Sequence, residues 1–213
     1  MMQRYRPIKF KLLSCLLIGM LMIYGVKALG ANALDEGLAA YEKEDYQKAF
    51  GLWKPLAEQG NAEAQFNIGV MHDNGQGVKE DPVEAFEWYQ MAADQGYAKA
   101  LFNIGEARRT GRGTQKSETE AVKWYQRAAD KGYTKATYAV GLSYLNGLGV
   151  EKNESRGMEW LQKAAEEGYP EAEYLIGMAY MKGFREYVKN EAKAIEWFRK
   201  AAGQGHLESM YML

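Results

Sequence analysis

Four units of about 36 residues follow one another in the sequence, and this period limits the fold more than any other feature. One glycine series recurs 36 positions apart at Gly69, Gly105, Gly141 and Gly177. A second series keeps this spacing until one extra residue enters the last unit: Gly60, Gly96, Gly132, Gly168 and Gly205. We expect the five tryptophans to share one position of the unit: Trp53, Trp88, Trp124, Trp160 and Trp197. A fixed period of this length indicates a stacked repeat protein.

The first half of each unit is predicted to be a helix. In the first unit, Ala64, Ile68 and Gly69 lie on one face of a helix with 3.6 residues per turn. The small residues on that face let another helix approach closely. The loop at 74–77 reads Asn-Gly-Gln-Gly, and its glycines permit the positive φ that ends a helix.

The second half of each unit is predicted to be a second helix. Asp81 is suited to cap its first turn, and Ser117 with Glu120 forms the pattern of a capping box in the following unit. Trp88 is expected to be a buried wedge between helices. Replacing the equivalent Trp124 with alanine is therefore predicted to cost about 3–5 kcal/mol of folding free energy.

The full unit reads A-x-x-x-L-G-x-x-Y-x-x-G-x-G-V-x-x-D-x-x-x-A-x-x-W-x-x-x-A-A-x-x-G and resembles the Sel-one-like repeat, a relative of the tetratricopeptide repeat. The resemblance implies an all-α fold: a right-handed α-solenoid of antiparallel helix pairs, used mainly as a protein-binding scaffold. After a predicted signal peptide (1–33), described below, it divides the chain into a tetratricopeptide-like helix pair (34–61), repeats 1 to 4 (62–97, 98–133, 134–169 and 170–206), and a partial fifth repeat or C-terminal cap (207–213).

Two departures from the pattern bear on the structure. The tyrosine of the first helix is kept as Tyr144 and Tyr180, but His72 and Arg108 replace it in the earlier units. In the fourth unit, the loop at 183–186 loses its second glycine and gains a residue. The shape of that loop is therefore left open by the pattern.

The first 33 residues resemble a secretory signal peptide, because basic residues precede an apolar run and Ala-Asn-Ala follows it. The run at 12–26 is shorter than the roughly 20 residues that a membrane-spanning helix needs, so cleavage after Ala33 is favoured over a stable anchor. Cys15, the single cysteine, would leave with this segment, and no disulfide is expected. We therefore expect a periplasmic or secreted protein.

The charge of the remaining chain disfavours two classes of partner. The first 33 residues hold five of the 27 Lys and Arg and none of the 28 Asp and Glu. The rest of the chain therefore has 22 basic and 28 acidic residues, a net charge of −6. Nucleic acids and anionic membranes are normally bound by basic surfaces, so neither is expected as a partner.

Side-chain patterns typical of catalysis or metal binding are not visible in the sequence. His72 and His206 are the only histidines, and without further cysteines a zinc site is not expected. No serine after residue 33 begins an S-x-x-K motif, and the G-x-G loops follow helices rather than strands. We therefore expect no catalytic residue, no cofactor and no metal.

The residues that the fold does not need are the candidates for partner binding. On the first helix of the first unit, positions 66, 67, 70, 73 and 74 lie opposite the packed face, on the concave side of tetratricopeptide-like solenoids. An aromatic residue occupies the first of these positions in every unit. The rings either line a groove or pack against neighbouring first helices, and both interpretations stay open. The candidate residues are Phe66, Phe102, Arg109, Tyr138, Leu142, Leu145, Tyr174, Met178 and Met181.

We thus expect an exported bacterial scaffold that binds a partner protein or peptide in an apolar groove, since aromatic and methionine side chains suit such partners. The alternative is a secreted enzyme, because some cysteine-rich relatives of the family bind or hydrolyse β-lactams. This sequence lacks their cysteines and a serine–lysine pair. A eukaryotic lumenal adaptor is a third possibility, which the short Ala-Asn-Ala signal disfavours.

Overall fold

The computed structural model describes residues 32–213, and these residues form antiparallel pairs of helices joined by short loops. The predicted all-α solenoid is confirmed. Residues 1–31, with most of the predicted signal peptide, lie outside the described residues. Within the described part, α1 covers 32–42, and the later helices are α2 (Tyr46–Glu58), α3 (Ala62–Asn74), α4 (Pro82–Asp94), α5 (Ala98–Thr110), α6 (Glu118–Asp130), α7 (Thr134–Asn146), α8 (Glu154–Glu166), α9 (Pro170–Lys182), α10 (Glu191–Gly203) and α11 (Leu207–Tyr211).

Odd-numbered helices are the first helices of the units, and even-numbered helices are the second helices. A glycine in each first helix brings the pair together. A Cβ added at Gly105 would lie 2.5 Å from the ring of Tyr125, so only glycine allows α5 to pack this closely on α6. The same relation joins Gly69 to Tyr89 and Gly177 to Phe198.

The two glycines of each G-x-G loop have different roles. The first, as at Gly111, ends the first helix in the left-handed conformation. The second, as at Gly113, lies against the preceding unit, where an added Cβ would be 1.9 Å from the carbonyl oxygen of Pro82. In the fourth unit Arg185 occupies this second position with a φ of 58°, and its guanidinium pairs with Glu154 of the preceding unit. The loop of the fourth unit therefore keeps the left-handed backbone at this position, although arginine replaces the glycine there.

Side-chain caps begin the second helices as the sequence predicts. The carboxylate of Asp81 accepts hydrogen bonds from the backbone N–H groups of Val83 and Glu84, both at 3.1 Å. Ser117 Oγ accepts one from the Glu120 N–H at 3.3 Å. The capping box predicted there is only half formed, because the Glu120 carboxylate binds Lys123 at 2.7 Å instead of returning to the cap. The backbone N–H of Ser117 donates instead to the backbone carbonyl oxygen of Arg108.

The prediction that all five tryptophans share one position is wrong for Trp53. A Cβ added at Gly37 of α1 would lie 2.2 Å from the indole of Trp53, so Trp53 occupies the position that Tyr89 and Tyr125 occupy in later units. Its indole N–H also donates to the carbonyl oxygen of Leu34 at 3.2 Å. The connection between α1 and α2 has only three residues, 43–45, which makes the first pair shorter than the others.

The other tryptophans lie at the edges of the unit interfaces rather than at their centres. Trp88 is 8% exposed and belongs to the core cluster that contains Trp53 and Ala57 of the preceding pair. Trp124 is only half-buried, and the guanidinium of Arg127 covers its outer face at 4.1 Å. The description of Trp88 as buried is confirmed, but it does not extend to Trp124.

Candidate functional site

The aromatic row on the first helices is packed inside each unit. The ring of Phe102 lies 5.4 Å from Tyr125 of the second helix and 5.4 Å from Tyr133, which precedes the next first helix. Phe66 makes the same two kinds of contact in its own unit. Each of these rings therefore bridges its own second helix and the entry to the next unit. Lys135 of the neighbouring first helix also lies 5.0 Å from the centre of the Phe102 ring, so packing against a neighbouring first helix and lining a groove both stay open.

The two tyrosines that continue the row are half-buried. Tyr138 packs on Tyr169 with ring centroids 4.9 Å apart. Tyr174 lies between Phe198 at 5.8 Å and His206 at 5.0 Å. Burial raises the pKa of the Tyr138 phenol, and the charge of nearby Glu171 raises it further. These rings contribute to folding as well as to the surface, so they are not purely a binding feature.

A cavity of about 490 Å³ opens between the neighbouring first helices α5 and α7. We call it the α5–α7 cavity, and four of the candidate residues line it: Phe102, Arg109, Tyr138 and Leu142. The other lining residues are Asn103, Glu106, Tyr125, Lys135, Ala139, Ser143, Leu148 and Tyr169. The volume lies in the range typical of small-molecule or side-chain sites in proteins.

A half-buried carboxylate organises the polar side of this cavity. Arg109 holds Glu106 with two hydrogen bonds, at 2.7 Å from Nη2 and 3.2 Å from Nε, and the Tyr125 hydroxyl donates to the same carboxylate. Burial opposes ionisation of Glu106, but the hydrogen bonds from Arg109 and Tyr125 outweigh it and lower the pKa of the carboxyl. Burial and the Glu106 charge both raise the pKa of Tyr125. The cavity therefore contains a fixed ion pair on one side and apolar walls on the other.

A second, smaller depression of about 160 Å³ lies between α7 and α9, and its exposed lining is entirely apolar. We call it the α7–α9 depression. It contains the candidates Leu145 and Met178, with Phe184 and Lys182 at its margin. Leu145 also contacts α8, because a Cβ added at Gly157 would lie 2.7 Å from it. It is thus partly an interhelix residue.

The remaining candidates, Phe66, Tyr174 and Met181, line neither the α5–α7 cavity nor the α7–α9 depression. Sequence reasoning missed Lys135, Leu148 and Tyr169 as cavity residues. The signal for Tyr169 was present, since a tyrosine directly precedes the three first helices α5, α7 and α9, at Tyr97, Tyr133 and Tyr169. Leu148 carries no such periodic signal, because each unit has a different residue at that loop position, and the position of Lys135 is lysine in two units and glutamate in the other two.

The described residues show no group of histidine, cysteine, aspartate and glutamate arranged to bind a metal. One serine–histidine contact exists, at 3.0 Å between Ser209 Oγ and His206 Nδ1. His206 Nδ1 also accepts the backbone N–H of Ser209 at 3.2 Å, which makes it the cap of α11, and Ser209 is fully buried. This contact is a helix cap rather than an accessible nucleophile. No helix in residues 32–213 has the length and apolarity to cross a membrane.

Comparison with known proteins places all five helix pairs in one repeat family. A family model described as the Sel1 repeat matches residues 27–61, 62–97, 98–133, 134–169 and 170–206. No curated protein matches the sequence. The family match includes the N-terminal pair, although the connection between its helices is short.

Solved structures with this architecture come from several bacteria. The chain is similar to a Sel1 repeat protein from Oxalobacter formigenes, with 34% identity, a TM-score of 0.76, and coverage of 83% of this chain and 71% of that one. It is also similar to c5321, a protective antigen of uropathogenic Escherichia coli with an SLR fold, at 28% identity and a TM-score of 0.73, over 88% of this chain and 41% of that one. Immunity protein Pa5087 from Pseudomonas aeruginosa shares the fold at 21% identity and a TM-score of 0.56, over 82% and 68% of the two chains.

Proposed function

Since the chain belongs to the Sel1-repeat family, we propose that it is a non-enzymatic scaffold whose first helices bind a partner protein or peptide. Proteins with this repeat typically mediate protein–protein interactions. The α5–α7 cavity is the observation that carries the proposal. It combines apolar walls with a small number of fixed polar groups, as binding sites generally do.

The surface around the cavity supports binding rather than catalysis. Leu148 is 44% exposed at the cavity wall, and Leu142 and Tyr138 are half-buried beside it. Apolar side chains grouped in a depression are the usual anchors for a partner side chain. The one carboxylate that lines the cavity, Glu106, is bound to Arg109 and to the Tyr125 hydroxyl. This pairing fixes the polar side of the cavity wall.

A matched pair of exposed residues tests the proposed surface. Leu148→Asp places a charge at the cavity wall, whereas Met91→Asp places one on α4, away from the cavity, at a residue with similar exposure of 40%. Proteins from the native envelope fraction that bind the wild type are identified, purified and measured by calorimetry. We expect Leu148→Asp to weaken binding at least tenfold, about 1.4 kcal/mol, and Met91→Asp to leave it unchanged.

The opposite pattern would contradict binding through the first helices. If Met91→Asp lowers the affinity for the purified partner as much as Leu148→Asp does, the interaction uses the second helices or the whole surface. Circular dichroism of both variants serves as the folding control, because each residue is exposed and neither change should unfold the protein.

Export is a second part of the proposal and rests on the N-terminal sequence. Basic residues, an apolar run and Ala-Asn-Ala precede Leu34. Cleavage after Ala33 would leave intact the contacts that fix α1, since Leu34 and Gly37 both lie after the cleavage point and contact Trp53. N-terminal sequencing of the protein recovered from periplasm or medium should begin at Leu34. Recovery of a chain that begins at Met1 would contradict export by this route.

A further inference from the structure

The start of α8 carries a sequence that the packing of the repeats does not require. A side chain caps the second helix in each of the four repeats, at Asp81, Ser117, Asn153 and Asn190. The residue two positions after the cap is exposed in all four units and is different in each: Val83, Thr119, Ser155 and Ala192. Helix capping explains the asparagine at 153, but it does not explain the serine that follows at 155.

The residues Asn153-Glu154-Ser155 match the acceptor sequence for N-linked glycosylation, which is asparagine, any residue except proline, and then serine or threonine. Of the eight asparagines in the chain, only Asn153 has serine or threonine two positions later. A working acceptor of this kind lies on the surface of an exported protein. Asn153 and Ser155 are both exposed, which meets the structural condition.

The helix cap and the modification use different atoms of Asn153. Its Oδ1 accepts a hydrogen bond from the backbone N–H of Arg156 at 3.0 Å, and this bond caps α8. Its Nδ2, the atom to which a sugar is attached, has no hydrogen-bond partner among the described residues. A glycosylated asparagine keeps its carbonyl oxygen, so the cap survives the modification. The folded protein therefore accommodates the product without losing a contact.

We propose that Asn153 is an N-linked glycosylation site, modified by an oligosaccharyltransferase that uses an oligosaccharide linked to a lipid pyrophosphate. A bond forms between Nδ2 and the anomeric carbon of the first sugar, and the bond between that carbon and the phosphate oxygen breaks. The lipid pyrophosphate leaves with the electron pair, and a base of the transferase takes the proton from Nδ2. The assignment rests on the proposed export, because the transferase acts in the compartment that the exported chain enters.

The folded structure also indicates when the modification occurs. Glu154, the middle residue of the acceptor sequence, begins α8 and pairs with Lys152 and Arg185. A transferase has to hold the three acceptor residues in its own active site, which the helix and these ion pairs oppose. A chain that crosses the membrane through the general secretory route is unfolded, so we expect modification during export, before α8 forms.

Expression beside an oligosaccharyltransferase tests the assignment. The full chain is produced in bacteria that carry a single-subunit transferase and its lipid-linked oligosaccharide, and the periplasmic protein is digested and measured by mass spectrometry. We expect the peptide with Asn153 to gain the mass of the oligosaccharide. Ser155→Ala should abolish this gain, because it keeps the capping asparagine but removes the acceptor sequence.

The same digest contains a matched internal control at Asn190. Its Oδ1 caps α10 by accepting from the Lys193 backbone N–H at 3.0 Å, as Asn153 caps α8. Glutamate follows Asn190 as well, but Ala192 stands where the first site has Ser155. Asn190 should therefore remain unmodified, and a sugar at Asn190 would overturn the assignment.

A second arm separates the glycosylation site from the export route. Residues 1–33 are replaced with a signal peptide that directs export in the same host. Periplasmic protein that is unmodified at Asn153 in this arm would overturn the assignment, as would a Ser155→Ala variant that is still modified there. If this arm is modified while the chain with its own N-terminus stays in the cytoplasm, the site stands and only the proposed export fails.

Discussion

The second glycine of each loop should be the residue least tolerant of substitution, and Gly113→Ala tests this. Gly113 has a φ of +67°, and Gly132, near the end of the same unit, has a φ of +79°. Alanine in the left-handed region costs about 1–2 kcal/mol, and this strain is common to both positions. The space around the two glycines is the difference between them.

At Gly113 a new Cβ would lie 1.9 Å from the carbonyl oxygen of Pro82 and 2.4 Å from its carbon, whereas at Gly132 no atom lies within 4 Å. Both contacting atoms at Gly113 are backbone atoms of the preceding unit, so the junction must open by more than an ångström. Overpacking of this kind costs about 1–3 kcal/mol. We therefore expect losses of about 2–5 kcal/mol for Gly113→Ala and about 1–2 kcal/mol for Gly132→Ala.

Equilibrium urea unfolding, followed by far-ultraviolet circular dichroism, measures both losses in one experiment. The denaturant midpoint should fall further for Gly113→Ala, while the slopes of the two transitions remain alike. Equal losses would mean that backbone strain alone explains the glycine, and the proposed contact between units would be wrong. A larger loss for Gly132→Ala would contradict the reasoning outright.

Three other changes give further tests. Gly105→Ala should lower the free energy of unfolding, because its Cβ would meet the Tyr125 ring, whereas Gly51→Ala, with no atom within 4 Å on an exposed helix position, should raise it by about 0.5–1 kcal/mol in the same urea experiment. Trp124→Ala should cost about 2 kcal/mol rather than the 3–5 kcal/mol of a fully buried ring, and a loss above 4 kcal/mol in urea melts would contradict its half-exposed position. Glu106→Gln should reduce the free energy of unfolding at neutral pH, because the folded state lowers the pKa of the Glu106 carboxyl. The stabilisation by the ionised carboxylate is present above its ordinary pKa of 4.5 and is lost as the pH falls through its pKa in the folded protein. The unfolding curves of the wild type and the variant should therefore converge in acid. A gap that stays constant from pH 7 to pH 3 would contradict this.

The period of the sequence was sufficient to predict the helices, their order and the G-x-G loops of the first three repeats. Glycines at Gly69 and Gly113 recur because neighbouring backbone or rings leave no room for a Cβ, and such a requirement is repeated wherever the packing is repeated. The prediction was wrong at Trp53, since Trp53 lies seven residues before the glycine that ends its unit, whereas the other four tryptophans lie eight residues before theirs. Gly37 would have corrected it, because it faces Trp53 as Gly69 faces Tyr89.

The candidate site was predicted less well, for a physical reason. The face of a helix follows from its period, but whether a ring on that face is covered depends on residues far away in the sequence. Phe102 was placed on the correct helix, yet Tyr125 and Tyr133 cover it. The cavity residue Leu148 belongs to a loop, and helical periodicity gives no information about where a loop side chain lies.

Departures from the repeat are of two kinds, and only one of them indicates function. Some departures are matched by a second change within the same unit, at the contact between the first helix and the first turn of the second helix. There the pairs change together: His72 with Glu84 at 3.6 Å, Tyr144 with Arg156 at 4.7 Å, and Tyr180 with Lys193 at 5.2 Å. Such paired changes preserve packing between the two helices.

Leu148 is a departure of the other kind, because the equivalent loop positions are Gln76, Arg112 and Phe184. It is exposed beside the α5–α7 cavity. A solenoid gains no stability from an exposed leucine at a cavity wall. A residue that differs between units and contributes little to folding is one that a partner can select. This is why partner binding is assigned to the cavity wall at Leu148 and not to the aromatic row that recurs in every unit.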